Sequence, residues 1–237
     1  MTLEASGPAW QRQVLALEAE GVVSRTFRRL DPPRQLAGVE ALLVEAAAGG
    51  PGEVSVKRVA ARAGVAVGSL YQYFPHREGM LDFAARAAAA LLVESLEGYG
   101  EALAAIPLPD ALAAYLAGGL DWSRQNVTLL GFFVRAAYNG APGFGPTLVR
   151  PVALATQGLV RAIVSAAHER GELRPGVDVE TATRLVHALC IAVCDPVLVP
   201  GLNDYFLLFD DDVRVGDIHA AAVDLVLNGL LATGRQS

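Results

Sequence analysis

The stretch that decides the fold is Val54 to Leu81, VSVKRVAARAGVAVGSLYQYFPHREGML. Ser55 places a side-chain oxygen where the first backbone N–H groups of a helix need an acceptor. Behind it Val56, Val59, Ala60 and Ala63 recur at i, i+3, i+4 and i+7, which makes one buried stripe. Gly64 stops that helix, because the position after a helix end takes a left-handed backbone. A second short helix is predicted from about Ala66 to Phe74. Its Leu70 and Phe74, four apart, turn one face inward and leave Val67, Gly68, Ser69, Tyr71, Gln72 and Tyr73 for the rest of its surface. Two short helices joined by a tight glycine turn form a helix-turn-helix pattern, whose second helix suits a major groove.

Outward from this stretch the pattern is helical throughout. A helix from about Pro33 to Ala48, with Leu36, Val39, Leu43 and Ala46 or Ala47 inward, is the first of a three-helix head, and Gly49-Gly50-Pro51-Gly52 ends it. The head holds few large apolar residues, so it is expected to lean on the next helix, Arg77 to about Leu96. Residues 1–31 read as an extension. Within it Trp10, Val14, Leu17 and Gly21 predict a helix from about Pro8 to Ala19, and Asp31-Pro32-Pro33 breaks whatever precedes. Arg25-Thr26-Phe27-Arg28-Arg29 reads either as a basic arm that touches phosphates or a minor groove, or as a solvated tail. Later helices are expected from Pro109-Asp110 past Trp122, from Val127 to Tyr138, from Pro146 to Glu169, from Val179 to Cys194 and from Asp217 to Ala232. A break is expected from Pro196 to Asn203, and Tyr205 and Phe206 are expected in a loop. No βαβ alternation is present, which argues against an α/β nucleotide-binding fold.

Composition agrees. The chain has 237 residues, enough for one large domain or two unequal ones, and is 53% hydrophobic, rich in alanine and leucine. No uninterrupted apolar run reaches the roughly 18 residues of a membrane span, and no basic region followed by an apolar core opens the chain. The expected compartment is the cytoplasm. Two cysteines do not make a disulfide framework. The net charge of −6 opposes a nucleic-acid partner if it is spread evenly, but it is not: Ser24 to Met80 holds eight Arg/Lys against five Asp/Glu, a net +3 that leaves −9 for the rest. A basic segment on an acidic body fits a DNA-binding head on a body not drawn to phosphates.

The run Val59-Ala60, Ala63-Gly64-Val65, Gly68, Ser69-Leu70-Tyr71-Gln72-Tyr73-Phe74, Arg77 and Leu81 resembles the DNA-binding signature of the TetR family of bacterial transcriptional regulators. Arg170-Gly171-Glu172-Leu173-Arg174-Pro175, followed by an Asp178-led helix, is similar to a segment common in the regulatory domains of that family. The resemblance implies that Val67, Gly68, Ser69, Tyr71, Gln72 and Tyr73 face DNA. The chain departs from the family in its long N-terminal extension and in Ala66 and Val67, which stand where polar residues are common.

Chemistry supports these assignments one by one. Gln72 can bond an adenine edge twice, Val67 can meet a thymine methyl, and tyrosine hydroxyls of Tyr71 and Tyr73 can donate to phosphates. Gly68 lets backbone approach closely, and Ser69 can reach base or phosphate. His76 and Arg77 open the next helix, where backbone N–H groups and a guanidinium together suit a phosphate. Ser55 and Lys57, with Arg58 beside them, are further backbone contacts, against the alternative of solvated surface for Lys57 and Arg58. In the body, Trp122, Phe132, Phe133, Arg135 and Tyr138, with Asn139 and His187, are candidates for a small-molecule pocket between helices; any of the aromatics is equally at home in a helical core. His187, Cys190 and Cys194 share one helix face but lack the paired short spacing of a zinc site, so no metal and no cofactor is expected.

The fold class read from these features is all-α: a three-helix helix-turn-helix head joined to a helical ligand-binding and dimerisation domain. The domains are drawn as 1–31 extension, 32–76 head and 77–237 body. The function expected is that of a non-enzymatic, ligand-responsive repressor. It binds a palindromic double-stranded DNA operator as a homodimer, through the last two long helices, and an unidentified small-molecule inducer releases it, with no membrane partner. The competing readings are a helical small-molecule-binding protein, or a scaffold, with a vestigial head.

Overall fold

The computed structural model describes residues 8–49, 54–138 and 143–231. Gly50 to Gly52, Asn139 and Ala232, on which expectations fell, lie outside them. In chain order the helices are α1 (Pro8–Ala19), α2 (Arg25–Arg28), α3 (Pro32–Gly49), α4 (Val56–Ala63), α5 (Val67–Tyr73), α6 (Arg77–Leu96), α7 (Tyr99–Ala104), α8 (Leu108–Gln125), α9 (Val127–Tyr138), α10 (Arg150–Glu169), α11 (Val179–Leu198), α12 (Pro200–Phe206) and α13 (Val215–Leu230). A π-helical turn, Gly145–Val149, leads into α10. Among the described residues the only β pairing is an isolated bridge between Leu173 and Leu231.

The chain divides into two compact units, one of residues 1–92 with 128–152, the other of residues 93–127 with 153–237. This differs from the sequence-drawn division at 31 and 76. In the first unit, residues 8–30 are part of the head. Trp10, Val14 and Leu17 of α1 and Phe27 of α2 are all buried. The Phe27 ring lies 5.0 Å from Phe83 and 5.4 Å from Phe74, and Trp10 meets Phe83 edge-on at 6.3 Å. The reason is volume: α4 buries only Val59 and Ala60, so the rings that fill the space around Phe74 come from α1, α2 and α6.

One buried amide ties these pieces together. Gln35, on α3, is fully buried. Its Oε1 accepts from the Trp10 indole N–H at 2.9 Å, and its Nε2 donates to the Phe27 carbonyl at 3.2 Å and the Arg28 carbonyl at 3.1 Å. The Gln13 side chain donates to the Arg86 carbonyl at 2.9 Å, and Arg86 pairs with Glu20 and Asp82. Arg25 to Arg29 is therefore not a solvated tail: Ser24 caps α2, and Phe27 anchors it. Also in this unit, Phe132 of α9 packs edge-on against Phe144 at 5.7 Å.

In the second unit α8, α11 and α13 pack on one another, around a core that includes Leu112, Leu116, Ile163, Val186, Val193 and Ala222. The expected Asp178-led helix is present, with the Thr181 N–H bonded to the Asp178 carboxylate at 2.8 Å. Two expectations fail here. α11 runs through Pro196 to Leu198, and Tyr205 and Phe206 lie on α12 rather than in a loop, because α12 restarts at Pro200, a residue suited to a first helical turn. Arg170 to Arg174 is a staple. The Arg170 guanidinium donates to the Ala104 carbonyl at 2.6 Å and the Ile106 carbonyl at 2.8 Å, satisfying the end of α7. Glu172 accepts from the Leu108 N–H at 2.9 Å at the start of α8. Partial burial opposes ionisation of Glu172, but Arg170 and that N–H outweigh it and hold the carboxyl below its usual range. Arg174 bonds the Leu230 and Gly229 carbonyls at the end of α13. The helices from 145 to 169 and 179 to 198 are apolar enough for a membrane by length and composition alone, but Ile163, Val164, Val186 and Val193 on them are buried in this unit.

Replacing the Gln35 amide by an isosteric apolar group orphans the Trp10 N–H and two carbonyls. Gln35→Leu is expected to lower the unfolding free energy by about 2–4 kcal/mol, read from urea denaturation of the full chain; an unchanged midpoint would deny the amide this role.

Candidate nucleic-acid interface

The helix-turn-helix forms as its residue types require. Ser55 has extended backbone, and its hydroxyl accepts from the Arg58 N–H at 3.5 Å, so its oxygen is engaged in the cap of α4. Gly64 sits at φ 67°, and the Val65 N–H reaches back to the Ala60 carbonyl at 3.0 Å, closing the helix end. Val59, Ala60, Leu70 and Phe74 are buried, as their spacing predicts. Arg58 Nε lies 2.5 Å from a carboxylate oxygen of the buried Glu45, a contact that joins α3 to α4. Lys57 is exposed.

On α5, Val67, Gly68, Tyr71 and Gln72 are exposed and follow at i, i+1, i+4 and i+5, so they make one contiguous outer face. Tyr71 is 52% exposed although its neighbour Leu70 is only 1% exposed. A Cβ added at Gly68 would meet nothing within 4 Å, so nothing inside the chain demands glycine there. Ser69 is half-buried.

Tyr73 stands apart from that face. It is half-buried, and its ring packs edge-on against Phe27 at 6.1 Å. Its carbonyl accepts from the Ser24 N–H at 2.8 Å, while the Ser24 hydroxyl donates to the Gln72 carbonyl at 2.5 Å. The C-terminal end of α5 is thus capped by a residue 48 positions earlier. Sequence inspection did not find Ser24. The one available signal was Phe27, an apolar residue set among arginines, which marks an anchored segment.

His76 and Arg77 are placed at the start of α6 as expected, but both are engaged. The His76 Nδ1 accepts from the Gly79 N–H at 3.0 Å and so caps α6. Arg77 is half-buried, and two of its nitrogens lie 3.3 Å from the Val54 carbonyl.

The expected ligand candidates fall in separate units. Phe132, Phe133, Arg135 and Tyr138 belong to the first, where Phe132 is core and Arg135 and Tyr138 are exposed. Trp122 and His187 belong to the second. There α8, α11 and α13 leave an apolar crevice lined by Leu112, Leu116, Val186, Cys190, Val193 and Ala222, with about 10 Å³ of interior space, room for roughly one water. On α11 the Thr183 hydroxyl and the His187 Nδ1 are buried without a hydrogen-bond partner, and burial lowers the His187 pKa. Burial pushes both the Cys190 and Cys194 thiols up to about 12. Among the described residues no three His, Cys, Asp or Glu side chains converge on a metal position.

Comparison with known proteins bears on this geometry. Residues 39–83 match the family model described as bacterial regulatory proteins, tetR family. No curated protein matches the chain. Among solved structures, a TetR family transcriptional regulator from Chloroflexus aurantiacus is 19% identical, with a TM-score of 0.57 over 89% of this chain and 99% of that one. SmeT, the repressor of the Stenotrophomonas maltophilia multidrug efflux pump SmeDEF, is 17% identical, with a TM-score of 0.60 over 85% and 91%. The transcriptional regulator FadR from Bacillus subtilis, solved in complex with stearoyl-CoA, is 16% identical, with a TM-score of 0.58 over 82% and 98%. The chain therefore has the all-α fold of TetR-type transcriptional regulators and carries the family's regulatory-protein signature over residues 39–83.

Proposed function

We propose that this protein is a cytoplasmic, homodimeric repressor that lays α5 in the major groove of a palindromic operator and is released by a small-molecule inducer. The observation that carries the reading is the outer face of α5. Val67, Gly68, Tyr71 and Gln72 are exposed together on a helix whose other side is buried. Gly68 there costs helix stability with no packing return, which is explained if a groove wall approaches it. Lys57 adds charge at the rim, and Ser55, Ser69, His76 and Arg77 are assigned contacts to phosphates, Ser55 and His76 next to their capping roles. Tyr73 has two duties in this scheme, a ring that braces α5 and a hydroxyl within the interface.

Dimerisation is assigned to α11 and α13. These helices pack on each other, yet Leu185 on α11 is 66% exposed and Leu225 on α13 is 65% exposed. Apolar side chains so exposed on two adjacent long helices suit a self-complementary interface. It places two heads to read half-sites about 34–36 Å apart. Inducer binding is assigned to the second unit. The unpartnered Thr183 hydroxyl and His187 Nδ1 supply polar groups for a ligand, and Trp122 is half-buried in the same unit. Phe132, Phe133, Arg135 and Tyr138 lie in the first unit and are not assigned to this site. The neighbours named above, one a repressor and one holding stearoyl-CoA, support a ligand-responsive role. Release requires only that the ligand favour a state whose heads no longer fit the groove. No catalytic role is assigned.

Selection of bound sequences from random duplex DNA tests the reading. The full chain is expected to enrich a palindrome. Tyr71→Ala and Gln72→Ala should lose it while keeping stability within about 0.5 kcal/mol, whereas Tyr73→Ala should also cost about 1–3 kcal/mol of stability. Gly68→Ala should raise stability by about 0.5–1 kcal/mol and weaken binding. No enrichment by the wild-type chain, with or without extracts of small molecules, sinks the proposal. For the dimer, Leu185→Glu with Leu225→Glu should convert the particle seen by light scattering from dimer to monomer at micromolar concentration; a dimer that survives both changes places the interface elsewhere.

A further inference from the structure

The basic segment around Arg25 is left unused by the readings above, and its surroundings give it a task. We propose that α2 is a further DNA-contacting element, whose Arg25 and Arg29 hold backbone phosphates beside the groove that α5 enters. The inference rests on the DNA-binding reading of α5 and extends it to residues outside the 39–83 match.

Position comes first. Ser24 bonds the carbonyls of Gln72 and Tyr73 at 2.5 and 2.8 Å. Arg25 is the next residue, and consecutive Cα atoms are about 3.8 Å apart. The first residue of α2 therefore lies within a residue's length of the contact with the end of the recognition helix, on the side where that helix leaves the groove and meets the backbone. Phe27, buried against Tyr73 and Phe74, fixes the rotation of α2, so the residues flanking it cannot turn inward.

Charge comes second. Each acidic residue of α1, α2 and the turns that flank α2 is already neutralised. Glu18 pairs with Arg28, Glu20 with Arg86, and Asp31 with Arg34 at 3.4 Å. Arg25 and Arg29 are exposed, and among the described residues neither has an ion-pair or side-chain hydrogen-bond partner. They are four apart, one turn along the same face. Two unpaired guanidiniums on a rigid, anchored helix next to a groove-reading helix suit two phosphate oxygens, for which arginine has the matching donor geometry. Preorganisation by Phe27 and Gln35 means that little ordering cost falls on binding.

The test is the salt dependence of binding. Dissociation constants are measured from 50 to 300 mM KCl on the duplex recovered by the selection above, and on a mixed-sequence 30-base-pair duplex. The proteins are wild type, Arg25→Gln/Arg29→Gln, Arg25→Lys/Arg29→Lys, and Arg12→Gln. Arg12 is an exposed arginine near the other end of α1 and serves as the control. The Gln pair is expected to flatten the slope of log K against log salt by about 0.9 per arginine removed per subunit, and to weaken binding about tenfold at 150 mM, on both duplexes. The Lys pair should keep the slope, Arg12→Gln should match wild type, and all should melt together. A Gln pair with wild-type slope and affinity overturns the proposal while leaving the DNA-binding reading intact. A wild-type chain with no salt-dependent binding to either duplex overturns both.

Discussion

Burying one side-chain amide organises the DNA-binding end of this molecule. Gln35 gives its oxygen to Trp10 and its nitrogen to two carbonyls at the end of α2. A fully buried amide left unpaired costs about 1–3 kcal/mol per group, so α1, α2 and α3 are held in the one arrangement that satisfies it. That arrangement seats Phe27 among Tyr73, Phe74 and Phe83, and seats Ser24 on the last carbonyls of α5. The posture of a seven-residue helix, too short to be stable by itself, is thereby set from outside the helix-turn-helix.

The second unit is organised by a different device with the same logic. Helix ends leave carbonyls and N–H groups unsatisfied, and Arg170, Glu172 and Arg174 collect those of α7, α8 and α13 within five residues of chain. Two of the groups left unsatisfied, Thr183 and His187, lie on the same helix as the exposed Leu185. Buried polar atoms without a partner are costly, and among the described residues of this unit four side chains carry them: Asn126, Thr183, His187 and His219.

Much of this is legible in the sequence. The α4 cap, the Gly64 stop, the inward Leu70 and Phe74 and the outward Val67, Gly68, Tyr71 and Gln72 follow from spacing and residue type, because each depends on contacts within a few residues. Trp10, Val14 and Leu17 announced α1 in the same way. What a string of residues does not show is range. Tyr73 looks outward by helical spacing alone, since the ring that covers it, Phe27, is 46 positions away. Arg58 and Arg77 look like free cations until Glu45 and the Val54 carbonyl are seen to occupy them. Pro196 looks like a helix stop, but α11 continues past it to Leu198.

The sequence by itself determined the long helices, the α4 cap and stop, and the polarity of the recognition face, since these are set by backbone hydrogen bonds and periodicity at short separation. The tertiary structure alone decided which charges are spent and which remain. Eight basic residues between Ser24 and Met80 look alike in a string. Only packing shows Arg28 and Arg58 paired with carboxylates, Arg77 on a carbonyl, and Arg25 and Arg29 left on an anchored face. Ion pairs form between side chains that folding brings within about 4 Å, and that proximity is a property of the fold rather than of any local pattern.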